Sequence, residues 1–459
     1  MKRQSSAWMV VWVFAFVAGA VVAQRPPRSL LIAIDAVPYH VLAELTDPAL
    51  GDDAYFQSFH PPVPLVSTFP SSTSIAMGGI LGPLGLEKSP GYEARFFDWD
   101  ELRVRGGRLF SYYKVEFPWR GFFDWGRKGP VGSSFEAIRP IHSGTKRLRK
   151  AMKDFVASDK EVFLIYVAAT DTAAHVLQPQ DLKRLVIDLD VMILEARAKT
   201  PDRPFEVIVF SDHGISGGEA LINVLKPLKA NLKQAGYRVA KKLDRPNTVA
   251  LTPFGLVSSF EAYTDEAIID EVADTLVGSE GIDLCAYREI DGIRVANSNG
   301  SALIQQKMES ELMWHYDSSA GDPLSYAPEI EGLAQVWVDS KSWVRDRDLF
   351  EKTTGSKYPD GLYRISQAFE LVTNSASIVC SVGPGYMFGS KTTARLAKLG
   401  KGRLRWTHGA LTQQATMGFL MSDRGDWDPS GAVRFDEALL PFAEALNRRG
   451  DEDPSSAQK

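Results

Sequence analysis

The chain has 459 residues, 44% hydrophobic and 24% charged, with a formal net charge of −5. This is the composition of a globular protein able to bury a substantial core. The acidic balance argues against a protein that grips a nucleic-acid duplex. Two cysteines, Cys285 and Cys380, form no CxxC pattern and suggest no zinc knot; pairing in an oxidising compartment and burial as free thiols both stay open.

Lys2 and Arg3 precede an apolar run from Ala7 to Ala23, and Val21-Val22-Ala23 places small residues where a signal peptidase reads. Residues 1–23 therefore read as a signal peptide of an exported protein, periplasmic or extracellular, with Gln24 opening the mature chain. Left uncleaved, the same segment would act as a membrane anchor.

Ser29–Asp35 has the continuous aliphatic character of a strand buried on both faces and runs into Asp35. Pro61–Phe69 is broken by prolines and reads as loop, and Pro70-Ser71-Ser72-Thr73 as the cap and start of a helix. Residues 80–144 are rich in aromatics and glycine, the texture of loops around an opening. Thr145–Ser158 and Gln180–Lys199 read as helices. Between and after them, Val162–Ala169 runs toward Asp171 and His175, and Phe205–Phe210 into Asp212 and His213. Strand–helix–strand alternation of this kind predicts a doubly wound, mostly parallel α/β sheet.

From 245 to 310 the pattern changes to a strand pair, an amphipathic helix over Asp265–Val277 and a hairpin pivoting on Asn297–Gly300, the outline of a small α+β insertion. The core then divides into residues 24–244 and 311–445, the second part carrying a strand at Ser375–Val382 and His408 after Leu404–Thr407. The polar end, 446–459, reads as a disordered tail.

Three aspartates and three histidines are thus delivered to strand ends, where ligands of open α/β sheets bind. Buried carboxylates at such positions call for a cation, and this ligand set suits two divalent metals, zinc foremost, with manganese or iron also compatible. Taken singly, an Asp after a strand is most often a helix cap and Asp-His-Gly a turn; their joint occurrence carries the reading. His40, His60, His142 and His315 lack such a setting and read as ordinary surface or packing residues.

The segments Leu31–Ala36, Phe69–Ser74, Tyr166–His175, Ser211–Gly214 and Thr407–Leu411, in this order, resemble the alkaline phosphatase superfamily, in its nucleotide pyrophosphatase/phosphodiesterase-type branch. The resemblance spans residues 29 to 425 and implies an alkaline-phosphatase-like core. It further implies that Asp171, His175 and His408 hold one zinc, and that Asp35, Asp212 and His213 hold the other together with the oxygen of the nucleophile. That nucleophile is a Thr or Ser at a helix start. Thr73 fits the Phe-Pro-Ser-x-Thr form and opens a helix whose N-terminus favours an anionic phosphoryl group; Thr68, in a Thr-Phe-Pro form, and Ser67 and Ser72 are the other hydroxyls in reach.

The expected activity is hydrolysis of a small phosphodiester or pyrophosphate through a phospho-Thr intermediate. Phosphomonoester hydrolysis, transfer of a phosphoryl head group, and a metal-bound but inactive binding protein are the other readings. No arginine that would clamp a dianionic phosphate can be placed, and no Cys/Ser-x-Pro-x-Arg motif of a sulfatase is present.

Overall fold

The computed structural model describes residues 27–106, 117–126, 140–333, 335–338, 340–390 and 404–451. The signal peptide read at 1–23 lies outside the described residues, as do parts of the 80–144 loops and residues 452–459.

One sheet carries the strand ends of interest. In chain order its strands are β1 (Arg28–Ile34), β2 (Val63–Val66), β3 (Val162–Val167), β4 (Phe205–Ser211), β5 (Met417–Ser422) and β6 (Val433–Arg434). They lie side by side as β6–β2–β5–β4–β1–β3. β1 is parallel to β3 and β4, and β2 to β6; β5 alone runs against both its neighbours. The helices that concern the site are α1 (Thr73–Leu81), α2 (Pro140–Ala157), α3 (Ala169–Ala174), α4 (Pro179–Lys199) and α5 (Gly361–Ala368).

Side chains alternate across a strand, and β1 uses this to seed two cores. Leu30, Ile32 and Ile34 pack with Leu148 and Phe155 of α2 and Leu185 and Leu189 of α4. Leu31 and Ala33 pack on the other face with Met77 and Ile80 of α1. The sheet is therefore covered on both sides, as the unbroken apolar runs of β1, β3 and β4 require.

Two local expectations give way. Pro61–Phe69 is not all loop, since Val63–Val66 forms β2. β6 pairs only with Leu65 and Val66, so Pro64 precedes the stretch paired on both sides. The described start of the C-terminal tail is helical, Ala443–Asn447 followed by a 3-10 turn over Arg448–Asp451. Arg448 donates to Pro27 O and Ser29 Oγ, and Arg449 to Asp124, which fasten it to the body.

A second sheet has ten strands drawn from 238–345 and 378–382 and is antiparallel apart from one parallel pair at its end. It includes the hairpin expected around Asn297–Gly300. Its reach exceeds the 245–310 segment, because Leu312–Asp317 pairs onto the hairpin and Lys341–Arg345 and Gln335–Val338 extend it further. Cys285 and Cys380 stand opposite each other in neighbouring strands, fully buried, and form a disulfide. Among the described residues no helix is long and apolar enough to cross a membrane.

Candidate metal centre

Parallel strands β1 and β4 end at the same edge, which brings Asp35 and Asp212 together. The chain turns sharply after each. Ala36 takes a left-handed conformation, φ 58°, and its N–H donates to Asp212 Oδ1 at 3.2 Å. After His213 the backbone passes so close to the short helix Gln413–Thr416 before β5 that a Cβ on Gly214 would lie 2.3 Å from Gln414 O. Glycine is there for space; its φ is not left-handed. As a result His213 folds back beside both carboxylates, Nε2 lying 3.6 Å from Asp35 Oδ1 and 3.5 Å from Asp212 Oδ2.

β3 hands the chain to α3, whose single turn sets Asp171 and His175 on one side. His408 arrives from far along the chain. Its Nε2 lies 3.3 Å from Asp171 Oδ1, and that of His175 3.4 Å from the same oxygen. Gly409 follows with φ 107°, and a Cβ there would approach Ser259 Oγ to 2.8 Å, so the loop needs glycine on both counts. The six residues thus form two groups, Asp35–Asp212–His213 and Asp171–His175–His408, the ligand atoms of each within 4.8 Å of one another. The groups adjoin, because the His213 and His408 rings stack with centroids 4.2 Å apart.

The proton arrangement decides what can sit there. His213 Nδ1 lies 2.9 Å from Gly214 O, His175 Nδ1 2.9 Å from Trp406 O, and His408 Nδ1 3.1 Å from Ser71 O. A carbonyl only accepts, so each Nδ1 carries the proton and each Nε2 offers a lone pair toward a carboxylate. Backbone-anchored imidazoles facing carboxylates in this way are how metal-binding histidines are oriented. Asp171 Oδ1 and Asp212 Oδ2 are buried without a hydrogen-bond donor.

Titration sets the two groups apart, with a neutral histidine in the first and a histidine that favours its protonated form in the second. Burial pushes the Asp212 carboxyl up to about 7. Burial and the neighbouring His408 hold His213 well below its ordinary value, so it stays neutral. Burial also opposes charge on Asp171, but His175 and His408 outweigh it and hold the carboxyl well below the usual range. His175 is raised by Asp171 against its own burial. Buried carboxylates and backbone-anchored imidazoles gathered this closely fit divalent cations.

Thr73 opens α1 next to the first group, its Oγ1 3.1 Å from Asp35 Oδ1 and 3.4 Å from His213 Nε2. The other hydroxyls lie differently. Thr68 Oγ1 donates to Pro70 O, and the Ser67 and Ser72 oxygens are buried without a partner. Ser71 joins the two halves of the centre. Its carbonyl takes the His408 proton, its N–H donates to Gly409 O, and its Oγ accepts from Gly409 N and donates to Ala410 O.

Residues missed in the sequence reading include Tyr166, whose hydroxyl donates to Asp35 Oδ2 at 2.5 Å. A polar residue inside the buried run Val162–Val167 was the available signal. Arg364 on α5 was missed as well, and nothing in its local sequence marks it. It is fully buried and donates to Ser67 O, Thr68 O, Pro359 O, Leu411 O and Thr416 Oγ1, tying the chain before Thr73 to the chain after His408. Glu93 is the third, a carboxyl pushed up to about 8 by burial and by neighbouring Glu261 and Asp171.

No family model matches the chain, and no curated protein matches it. Among solved structures it is similar to human ectonucleotide pyrophosphatase/phosphodiesterase 5, at 12% identity over 92% of this chain and 95% of that chain, with a TM-score of 0.49. The murine counterpart, an inactive variant in complex with AMP, shows 12% identity over 92% and 95%, with a TM-score of 0.48. Phosphonoacetate hydrolase from Sinorhizobium meliloti 1021, in complex with phosphonoformate, shows 14% identity over 93% and 96%, with a TM-score of 0.45.

Proposed function

We propose that the chain is an exported, metal-dependent phosphoric ester hydrolase acting on diesters or pyrophosphates, with Thr73 as nucleophile. The observation that carries this is the hydroxyl of Thr73 at a helix N-terminus, within 3.1 Å of one of two adjoining Asp/His groups. Asp35, Asp212 and His213 would hold one divalent ion beside Thr73, and Asp171, His175 and His408 the second. When bound, the ions supply Lewis acidity that favours the ionised hydroxyl and offsets charge on the phosphoryl oxygens.

The chain's own groups do the rest. Thr73 Oγ1 faces two acceptors, Asp35 Oδ1 and His213 Nε2, so its proton is directed away from the substrate. Attack forms the Oγ1–P bond and breaks the bond from phosphorus to the leaving oxygen, giving phospho-Thr73; water then cleaves that ester and returns the hydroxyl. The first N–H groups of α1 lack intrahelical partners and favour the anionic phosphoryl group. Arg364 gives its donors to backbone carbonyls and Thr416, so it is not itself a phosphate clamp. A disulfide between Cys285 and Cys380 suits an exported protein.

The test pairs metal content with hydrolysis of bis-p-nitrophenyl phosphate and p-nitrophenyl phosphate. Two ions per chain and faster cleavage of the diester are expected. Faster cleavage of the monoester would replace the diester reading, and two ions without turnover would point to a transferase or an inactive binder.

A further inference from the structure

From the reach of Tyr166 into the centre, we infer that it is a positioning residue for the Asp35 group, fixing which carboxylate oxygen faces Thr73; this rests on the function proposed above. Tyr166 stands opposite Ala33 in the β1–β3 register, and both belong to the core on the α1 face. Asp35 follows Ala33 by two residues at the end of the strand, which puts it within reach of the tyrosyl hydroxyl. The bond from Tyr166 Oη to Asp35 Oδ2 is 2.5 Å and buried. Oδ1 is thereby left for Thr73, at 3.1 Å.

Aromatic neighbours hold the ring in this pose. Trp119 meets it edge-on with centroids 5.2 Å apart, and Phe123 lies at 5.5 Å. Its backbone N–H donates to Trp125 O at 2.8 Å. The hydroxyl therefore has little freedom to leave the carboxylate. A buried donor on one oxygen removes rotation of the carboxylate plane. Asp171 Oδ1, in the other group, is buried without a hydrogen-bond partner among the described residues, so the effect should fall on one of the two groups.

The test is titration of the metal-free protein with Co2+, read by its visible absorption, together with steady-state kinetics of the zinc-loaded protein. Tyr166→Phe should weaken one of two binding steps by roughly 10–100-fold, the range for outer partners of metal ligands. The other step should not move, and kcat should fall while KM holds. Two unchanged steps with an unchanged kcat would overturn the inference, as would equal weakening of both. Should Tyr166→Phe not fold, site-specific 3-fluorotyrosine at 166 keeps the ring and makes the hydroxyl a stronger donor. A shift in the same single step is then expected, and identical binding curves would overturn the inference. Unmodified protein that binds no ions or cleaves no ester would count against the proposed function instead.

Discussion

The two sheets of this molecule put their strands to different ends. In the first, β1, β3 and β4 run in the same direction, so their ends share one edge, and Asp35, Asp171 and Asp212 all follow those ends. The second sheet is built from hairpins that send successive strand ends to opposite edges. It supplies none of the six Asp and His residues, yet it braces the loop carrying one of them: Ser381 Oγ accepts from Leu411 N, and Ser258, just before one of its strands, donates from N and Oγ to His408 O. Parallel topology gathers reactive side chains, and antiparallel topology here braces a loop and carries the disulfide. Substitutions should divide accordingly, those at the parallel edge striking turnover and those in the second sheet striking stability.

The largest effect should come from Thr73→Ala, with hydrolysis falling by about 10^6 as for removal of other covalent nucleophiles while both ions stay bound. Retained turnover would move the nucleophile to Thr68 or a neighbouring Ser. Asp212→Ala should cost roughly 10^4 in turnover, with metal content falling from two ions to one; full activity would undo the division of labour between the sheets. Ser71→Ala removes the hydroxyl that meets Gly409 N and Ala410 O. It should weaken ion binding at the Asp171 group by ~10-fold, seen as one shifted step in a metal titration.

In the second sheet, replacing both Cys285 and Cys380 by Ser should lower the unfolding free energy by about 2–5 kcal/mol, leaving kcat unchanged in the folded fraction. The smallest effect concerns Glu261, pushed up to about 7 by burial, with Thr252 donating to it in opposition. A carboxyl raised in the folded state contributes stability fully below its unfolded value of 4.5 and loses it as pH rises through about 7. Melting of the metal-free protein should therefore decline between these values, and Glu261→Gln should flatten the decline.

What could be read from sequence follows the same division. Strands buried on both faces announce themselves as apolar runs, so an Asp at the end of one stands out, as Asp35 and Asp212 do. His408 was legible only with its Thr-His-Gly context, because its partners Asp171 and His175 lie more than 230 residues earlier and distance in sequence hides contact. The preference for Thr73 over Thr68 rests on the helix start; the loop sets Thr73 Oγ1 3.1 Å from Asp35 Oδ1 and turns Thr68 to Pro70 O. The second sheet was only partly legible because Gln335–Val338 and Lys341–Arg345 are short, and their pairing is set by the hairpin they join. Arg364 and Ser71 act through backbone carbonyls and amides, which no side-chain pattern reports.

β5 lies between β2 and β4, not at the rim of its sheet, although it is formed by residues 417–422. Until that late segment is available, β2 has no partner joining it to β4. A polypeptide emerging progressively from a ribosome would therefore leave the first sheet in two parts until residues 417–422 had appeared. Premature termination anywhere before residue 417 should yield material for proteolysis, with no partially active fragment.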